Sequence, residues 1–402
     1  MSYLLNTYAR LPISFDYAKN VWLFDYDGNR YLDLVSGMGV MMLGHAHPKI
    51  LYTITAQSTK LSHIYNLVQI PEQELLAEQL SMLSGLSSNN KPHNSKVFFC
   101  NSGAEAVEAA IKLTRLYGHS KNITNPKVIT MKNGYHGRTL AALSASDIPA
   151  FQQKFAPLVD SFIKIPFNDV PALQDTLNSA EAKDIVAVIL EPIQGAAGVN
   201  IPDINYLTEI RKICTKHNLL MMVDEIQTGI GRTGKLFCYQ HSNVIPDVVI
   251  AAKGLANGIP IGTIIIQQPW ADLFIPSSHG STFGGNPLAC SVATATLNEI
   301  KQHNLCQSSE QLGNYFLNQL QQELSKPQYH NHIVDIRGQG LMIAIELDKP
   351  CQSIMQLALK YGLLCNVTNS NVIRILPPLI IEQQHIDFAV EKIALTIQEF
   401  YS

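Results

Sequence analysis

The sequence predicts an α/β protein, with a large, mostly parallel sheet domain carrying helices on both faces and a smaller α+β domain after it. Three observations predict this. Between residues 97 and 266, short apolar runs alternate with stretches of helical period, the rhythm of strand and crossover helix. From about residue 287 the texture changes to two long helical stretches, several short strands and a final helix. The 402 residues, 46% hydrophobic and 15% charged, suffice to fill two cores and are too apolar for a disordered chain.

Taken in order, Val21–Phe24 and Arg30–Val35 flank a turn containing Asp27-Gly28 and read as a hairpin over residues 21–35. Pro48, closing Gly44-His-Ala-His-Pro48, favours a helix start, and residues 49–61 and 72–84 carry helical patterning. Ser87–Ser95 is polar and linker-like. The apolar runs at 97–100, 127–131, 185–190, 219–223, 247–252 and 261–266 read as sheet strands. Helical stretches at 287–302 and 306–325 lead to strands near 332–336, 341–347, 362–367 and 372–376, then a helix over 382–400. The division expected is an N-terminal segment, 1–45, packing with the small domain, a large domain, 46–286, and a small domain, 287–402.

Composition narrows the function classes. A net charge of −3 and a pI of about 6.5 offer no electrostatic reason to expect nucleic acid or an anionic membrane as partner. The seven cysteines are widely spaced with no C-x-x-C pair, which points to reduced thiols rather than a disulfide framework or zinc ribbon. His45 and His47 lack neighbouring ligands for a metal. The N-terminus lacks the basic and apolar regions of a signal peptide, and no stretch of 18 apolar residues exists. A soluble, cytoplasmic protein is expected.

Three places carry chemistry. Lys253 ends the apolar run Asp247–Ala252 and precedes the glycine-rich Gly254–Gly258, which puts an amine at the carboxyl edge of a sheet, where open α/β folds build their sites. A part-buried amine there has a lowered pKa and attacks carbonyls. Asp224 ends the run Leu219–Val223, where a carboxylate can hold a protonated pyridine nitrogen, with Gln227 close enough to reach a second polar atom of the same ring. Asn101-Ser-Gly-Ala-Glu105 opens a helix with Val107, Ala110, Ile111 and Thr114 on one face. Ser102 is a good N-cap and Glu105 is placed for a capping box. Small residues at Ser102, Gly103 and Ala104 let a phosphate approach the free N–H groups. A lysine for an aldehyde, an aspartate for a cation and a helix start for a phosphate describe a pyridoxal 5'-phosphate site. Beyond the strand at 127–131, Tyr135 offers a face for a ring and Arg138 a planar fork for a carboxylate. Gly229-Ile-Gly-Arg-Thr-Gly-Lys235 imitates nucleotide motifs, but Leu236 stands where a Walker loop needs Ser or Thr, and no acid follows at dinucleotide spacing.

Read with Glu191-Pro-Ile-Gln-Gly195, Gly231-Arg-Thr-Gly234, Ser281–Pro287 and Arg337-Gly-Gln-Gly-Leu341, these motifs form an ordered set from about residue 8 to 380. The chain resembles class III pyridoxal-phosphate aminotransferases, most of all the acetylornithine and ornithine branch. The resemblance implies the fold type I architecture and a homodimer with active sites at its interface. It implies that Lys253 joins the cofactor covalently and moves protons, Asp224 pairs with the pyridine nitrogen, and Gln227 reaches the ring hydroxyl. It further implies that Gly103 and Ala104 bind phosphate, Tyr135 (more often Phe in the family) stacks on the ring, and Thr282 reaches the partner subunit's phosphate. Arg138, with Tyr8, would take a distal carboxylate. Arg374 would take the α-carboxylate of glutamate or 2-oxoglutarate. One position departs: the family's glutamate after Gly195 is Ala196 here. Without it, Arg374 is expected to lack a neutralising partner, which biases the site toward donors with a carboxylate beside the reacting amine. The donor stays open among acetylornithine, ornithine, succinylated amino acids, 4-aminobutyrate and diamines. An aminomutase or decarboxylase on the same fold is the rival reaction, and a cofactor binder without activity is the rival outside catalysis.

Overall fold

The computed structural model describes residues 3–87, 90–91 and 93–402, so part of the linker-like 87–95 stretch and the first two residues lie outside it. The chain opens with three antiparallel strands, β1 (Phe15–Lys19), β2 (Trp22–Asp25) and β3 (Arg30–Asp33). β2 and β3 are the expected hairpin, and Gly28 takes the left-handed conformation (φ +83°) its turn requires. β1 was not legible, because its alternation is broken by a register shift between Phe15 and Tyr17. Pro48 and Pro71 occupy the first positions of the helices Pro48–Lys60 and Pro71–Leu83, where a missing N–H costs nothing.

The central sheet has seven strands: β4 (Ser95–Cys100), β5 (Lys127–Met131), β6 (Phe162–Ile165), β7 (Ile185–Leu190), β8 (Leu220–Asp224), β9 (Val248–Ala251) and β10 (Gly262–Gln267). Their order is β4-β10-β9-β8-β7-β5-β6. All neighbours pair in parallel except β10, which runs antiparallel to both β9 and β4. Alternate residues serve two cores. Ile189, Met222, Ile250 and Ile264 pack with the helix Gly103–Ser120 on one face. Val188, Val223, Val249 and Ile265 pack with Tyr206–His217 and Pro287–Gln302 on the other. Strands buried on both faces read as continuous apolar runs, which is why β7 was recognisable at its full length. The six strands β4 to β9 run the same way and empty at one edge, so Asn101, Lys132, Glu191, Glu225 and Ala252 all lead into loops there.

The third sheet is antiparallel, in the order β11 (Ile333–Gln339), β12 (Met342–Leu347), β15 (Val372–Ile375), β14 (Asn366–Thr368). The single strand expected over 362–367 is divided. β13 (Leu363–Leu364) pairs in parallel with β3, and β14 joins the third sheet, so one short stretch stitches the N-terminal sheet to the C-terminal one. The helices Leu305–Leu324 and Gln383–Tyr401 pack together over this sheet. The glycine-rich 229–235 stretch is structural. Arg232, buried at 1% exposure, donates through Nη1 to the carbonyls of Leu341 (3.0 Å) and Pro377 (2.5 Å). Among the described residues no helix is long and apolar enough to cross a membrane, and no cluster of three or more His, Cys, Asp or Glu side chains is placed to hold a metal.

Candidate active site

Two adjoining cavities open at the carboxyl edge of the central sheet. The smaller, about 220 Å3, is lined by Gly103, Ala104, Tyr135, His136, Asp224 and Lys253 among others. The larger, about 520 Å3, is lined by Arg138, Phe151, Ala196, Asn366, Arg374 and others, and shares Tyr135, Arg138, Gln227 and Lys253 with the first.

The helix Gly103–Ser120 starts at the small cavity. Ser102 caps it, its Oγ accepting from the Glu105 N–H at 3.2 Å. The N–H groups of Gly103 and Ala104 donate to no group among the described residues. Eighteen residues of helix behind them give that end its positive potential. Ser102 itself is exposed and outside the cavity lining. The capping box is shifted from its expected form. Glu105 Oε2 accepts from the N–H (2.6 Å) and Nδ2 (3.0 Å) of Asn101 rather than from Ser102.

Asp224 is buried, and its Oδ2 lies 2.8 Å from His136 Nδ1, while its Oδ1 accepts from the Ile226 N–H at 3.1 Å. Burial alone would lower the His136 pKa, but the hydrogen bond and charge of Asp224 overcome it and raise it. Glu191 accepts from the N–H of Tyr135 (2.9 Å) and of Gly195 (3.3 Å), and burial pushes its carboxyl up to about 7. Lys253 holds a left-handed backbone (φ +44°) just past β9, and its amine has no hydrogen-bond or ion-pair partner among the described residues. Burial, then the Arg374 charge, lower its pKa from 10.5 to about 8, against the opposing pull of Asp224 and Glu191.

Arg374 is 5% exposed at the back of the larger cavity. Nη1 donates to the Gly195 carbonyl and to Gln227 Oε1, both at 3.1 Å; Nη2 donates to Asn366 Oδ1 at 2.8 Å and to Met38 Sδ at 3.4 Å. Burial, opposed by Glu191, lowers its pKa to about 10, so it remains a cation at neutral pH. Arg138 lies across the cavity mouth with its guanidinium 3.4 Å from the centre of the Phe151 ring.

These details find a close match among known proteins. The family described as "Aminotransferase class-III" matches residues 4–397. The chain belongs to the class III aminotransferases. It is 44% identical over 400 residues to the acetylornithine aminotransferase of Nitrosomonas europaea, covering 100% of this chain and 98% of that one. It is also 44% identical over 390 residues to the one from Aquifex aeolicus, covering 97% and 98%. The ornithine aminotransferase of Toxoplasma gondii superposes with a TM-score of 0.92 at 32% identity, over 99% of this chain and 93% of that chain. The acetylornithine aminotransferase of Elizabethkingia anophelis gives 0.86 at 34%, over 98% and 96%. Class III aminotransferases depend on pyridoxal 5'-phosphate, and an aminotransferase takes a small amino donor and an oxo acid.

The aminotransferase has side chains that fit this cofactor. Free helix N–H groups suit the phosphate, a carboxylate backed by a buried histidine suits a protonated ring nitrogen, and an unpaired amine suits the aldehyde. Tyr135 and Ile226 both line the cavity between them. Of the residues singled out in the sequence, Gly103, Ala104, Tyr135, Arg138, Asp224, Gln227 and Lys253 come together here, with Arg374 next door. Gln227, expected to face a ring hydroxyl, is also tied to Arg374. Tyr8, 74% exposed, and the exposed Thr282 line neither cavity. Sequence reasoning assigned no role to His136, Glu191, Met38, Phe151 or Asn366. Glu191 opens the Glu191-Pro-Ile-Gln-Gly195 motif and His136 follows Tyr135 in the chain; only the fold brings the other three to the site.

Proposed function

We propose that this aminotransferase moves an amino group from an acetylornithine-like or other ω-amino donor to 2-oxoglutarate, yielding an aldehyde and glutamate in two half-reactions on one site. The observation that carries this is the pair of cavities sharing Lys253: Asp224 and free helix N–H groups on one side, Arg374 and Arg138 on the other. Two arginines suit the two carboxylates of glutamate and 2-oxoglutarate. The names of the curated relatives favour acetylornithine as donor.

Pyridoxal phosphate, when bound, supplies an aldehyde for amines and a ring that withdraws electrons. Gly103 and Ala104 would hold its phosphate, and Tyr135 would cover the ring. Asp224 would hold the protonated ring nitrogen, and His136, hydrogen-bonded behind it, keeps that carboxylate aimed. Lys253 would hold the aldehyde until a donor amine replaces it, and its freed amine would then be the base that takes a proton from the donor carbon bearing nitrogen and the acid that returns it to the carbon on the other side of that nitrogen. An amine with a pKa near 8 is suited to both transfers. Arg374 takes the α-carboxylate in the glutamate half, and Arg138 the distal one.

Thr282 and Tyr8 acquire roles only in a homodimer. The loop carrying Thr282 is tied to the active-site edge through Ser281 and Asn101 (3.2 Å), and to the 61–70 segment through Asn66. Tyr65, Leu67 and Phe283 are exposed on that same face, which favours a second copy there. A cytoplasmic enzyme agrees with the reduced cysteines.

Purified holoenzyme is tested with a panel of amino donors against 2-oxoglutarate and pyruvate, scoring glutamate and alanine. Turnover that consumes one oxo acid per donor is expected, and Lys253→Ala is expected to abolish it. Conversion of a donor without any oxo acid would replace this reading with an aminomutase or decarboxylase.

A further inference from the structure

We propose that Asn366 decides which carboxylates the larger cavity accepts: its carbonyl oxygen holds Arg374 in place without cancelling its charge, and its NH2 group is a further donor to the bound carboxylate. This rests on the reading of Arg374 as the carboxylate seat.

The geometry follows from the third sheet. Asn366 on β14 and Arg374 on β15 are direct partners in the antiparallel ladder, so their side chains share one face. Asn366 Oδ1 lies 2.8 Å from Arg374 Nη2. Arginine can only donate, so the oxygen of the amide must face it and the NH2 group must face away. That NH2 group has no partner among the described residues, and Asn366 lines the cavity beside Ala196 and Arg374. β14 is fixed in turn, since Thr368 Oγ1 donates to the carbonyl of Ala196.

Charge supplies the second half of the argument. Every acceptor around Arg374 is neutral: the Gly195 carbonyl, Gln227 Oε1, Asn366 Oδ1 and Met38 Sδ. Arg374 Nε is buried with no acceptor among the described residues. A guanidinium so placed is held rigid with no carboxylate in hydrogen-bond contact, Glu191 acting on it only from a distance, which favours an incoming anion. Met38 contributes a weak sulfur acceptor from a left-handed backbone (φ +72°), a contact that a carboxylate oxygen readily displaces. An aspartate at 366 would occupy the same volume, accept from the same nitrogen and cancel the charge.

The test uses the holoenzyme and Asn366→Asp. Glutarate, an inert dicarboxylate, is titrated by calorimetry, and KM and kcat are measured separately for 2-oxoglutarate and for N-acetylornithine. The expected result is a rise of at least tenfold in both the glutarate Kd and the 2-oxoglutarate KM. The KM for N-acetylornithine, which presents no carboxylate beside its reacting amine, stays level or falls. Asn366→Ala removes the donor without adding charge and is expected to weaken glutarate severalfold; it carries the same test should the aspartate variant not fold. Glutarate binding as in wild type in the folded variant, or equal rises in both KM values, overturns the proposal. Wild-type enzyme that binds glutarate yet makes no glutamate from any donor would instead refute the proposed reaction, leaving the carboxylate seat standing.

Discussion

The lowered pKa of Lys253 gives the mechanism a sharp pH signature. Capture of an aldehyde needs the neutral amine. At pH 7, a group titrating near 8 is neutral in about one molecule in ten, against about one in 3,000 for an ordinary lysine amine at 10.5, a gain of about 300-fold. The uptake rate of pyridoxal phosphate by cofactor-free protein, followed by absorbance, should rise about tenfold from pH 6 to 7, pass its midpoint near pH 8 and level off above about pH 9. Burial is the main cause of the shift and the Arg374 charge the second. Arg374→Met therefore moves the midpoint upward, toward 10.5. Glu191→Gln moves it the other way, because the Glu191 carboxylate raises the Lys253 pKa. A wild-type midpoint above about 10, or one that ignores both substitutions, would refute the account of how this amine is activated.

Four further outcomes are expected. Glu225, which accepts from Thr228 Oγ1 (2.5 Å) and the Tyr239 N–H (2.8 Å), titrates near 7 in the fold because burial disfavours its charge. The folded state then keeps a proton that the unfolded chain loses above pH 4.5, so stability falls as pH climbs from 4.5 to 7. Glu225→Gln should gain on wild type across that window, by on the order of 3 kcal/mol at most, in urea melts at pH 5 and pH 8. Gly313→Ala should cost about 3 kcal/mol in the same melts, since a Cβ there would sit 2.0 Å from the Gly340 carbonyl oxygen, which is backbone and has little room to yield. His136→Phe leaves buried Asp224 with only the Ile226 N–H, and should weaken cofactor retention on dialysis at least tenfold. Ala196→Glu would neutralise Arg374 and should improve ω-amine donors relative to glutamate; unchanged donor ratios would remove the reason for treating position 196 as a selector.

Much of this was legible in the sequence, for physical reasons. Strands buried on both faces announce themselves as unbroken apolar runs, so β7 and β8 were placed within a residue. β6 was not, being three half-buried residues, one of them a lysine, and the buried Ile165 at the edge of the sheet. The reversed direction of β10 left no mark either, since a fully buried strand looks the same read either way. Lys253 and Asp224 stood out because each ends a strand. His136 has meaning only through Asp224, 88 positions away, and Asn366 only through a ladder whose register no local pattern records. Tyr8 and Thr282, which the resemblance implied for the site, line neither cavity.

The buried Arg232 constrains how the enzyme can breathe. Its hydrogen bonds rivet the 229–235 loop to the carbonyls of Leu341 and Pro377, and its backbone carbonyl accepts from Leu341 and Ser309 as well. Prising this seam apart would strand a guanidinium in a dry interior. Any widening that lets products escape must therefore pivot away from this seam, which also reaches Met42, whose sulfur accepts from Arg232 Nη2 at 3.2 Å.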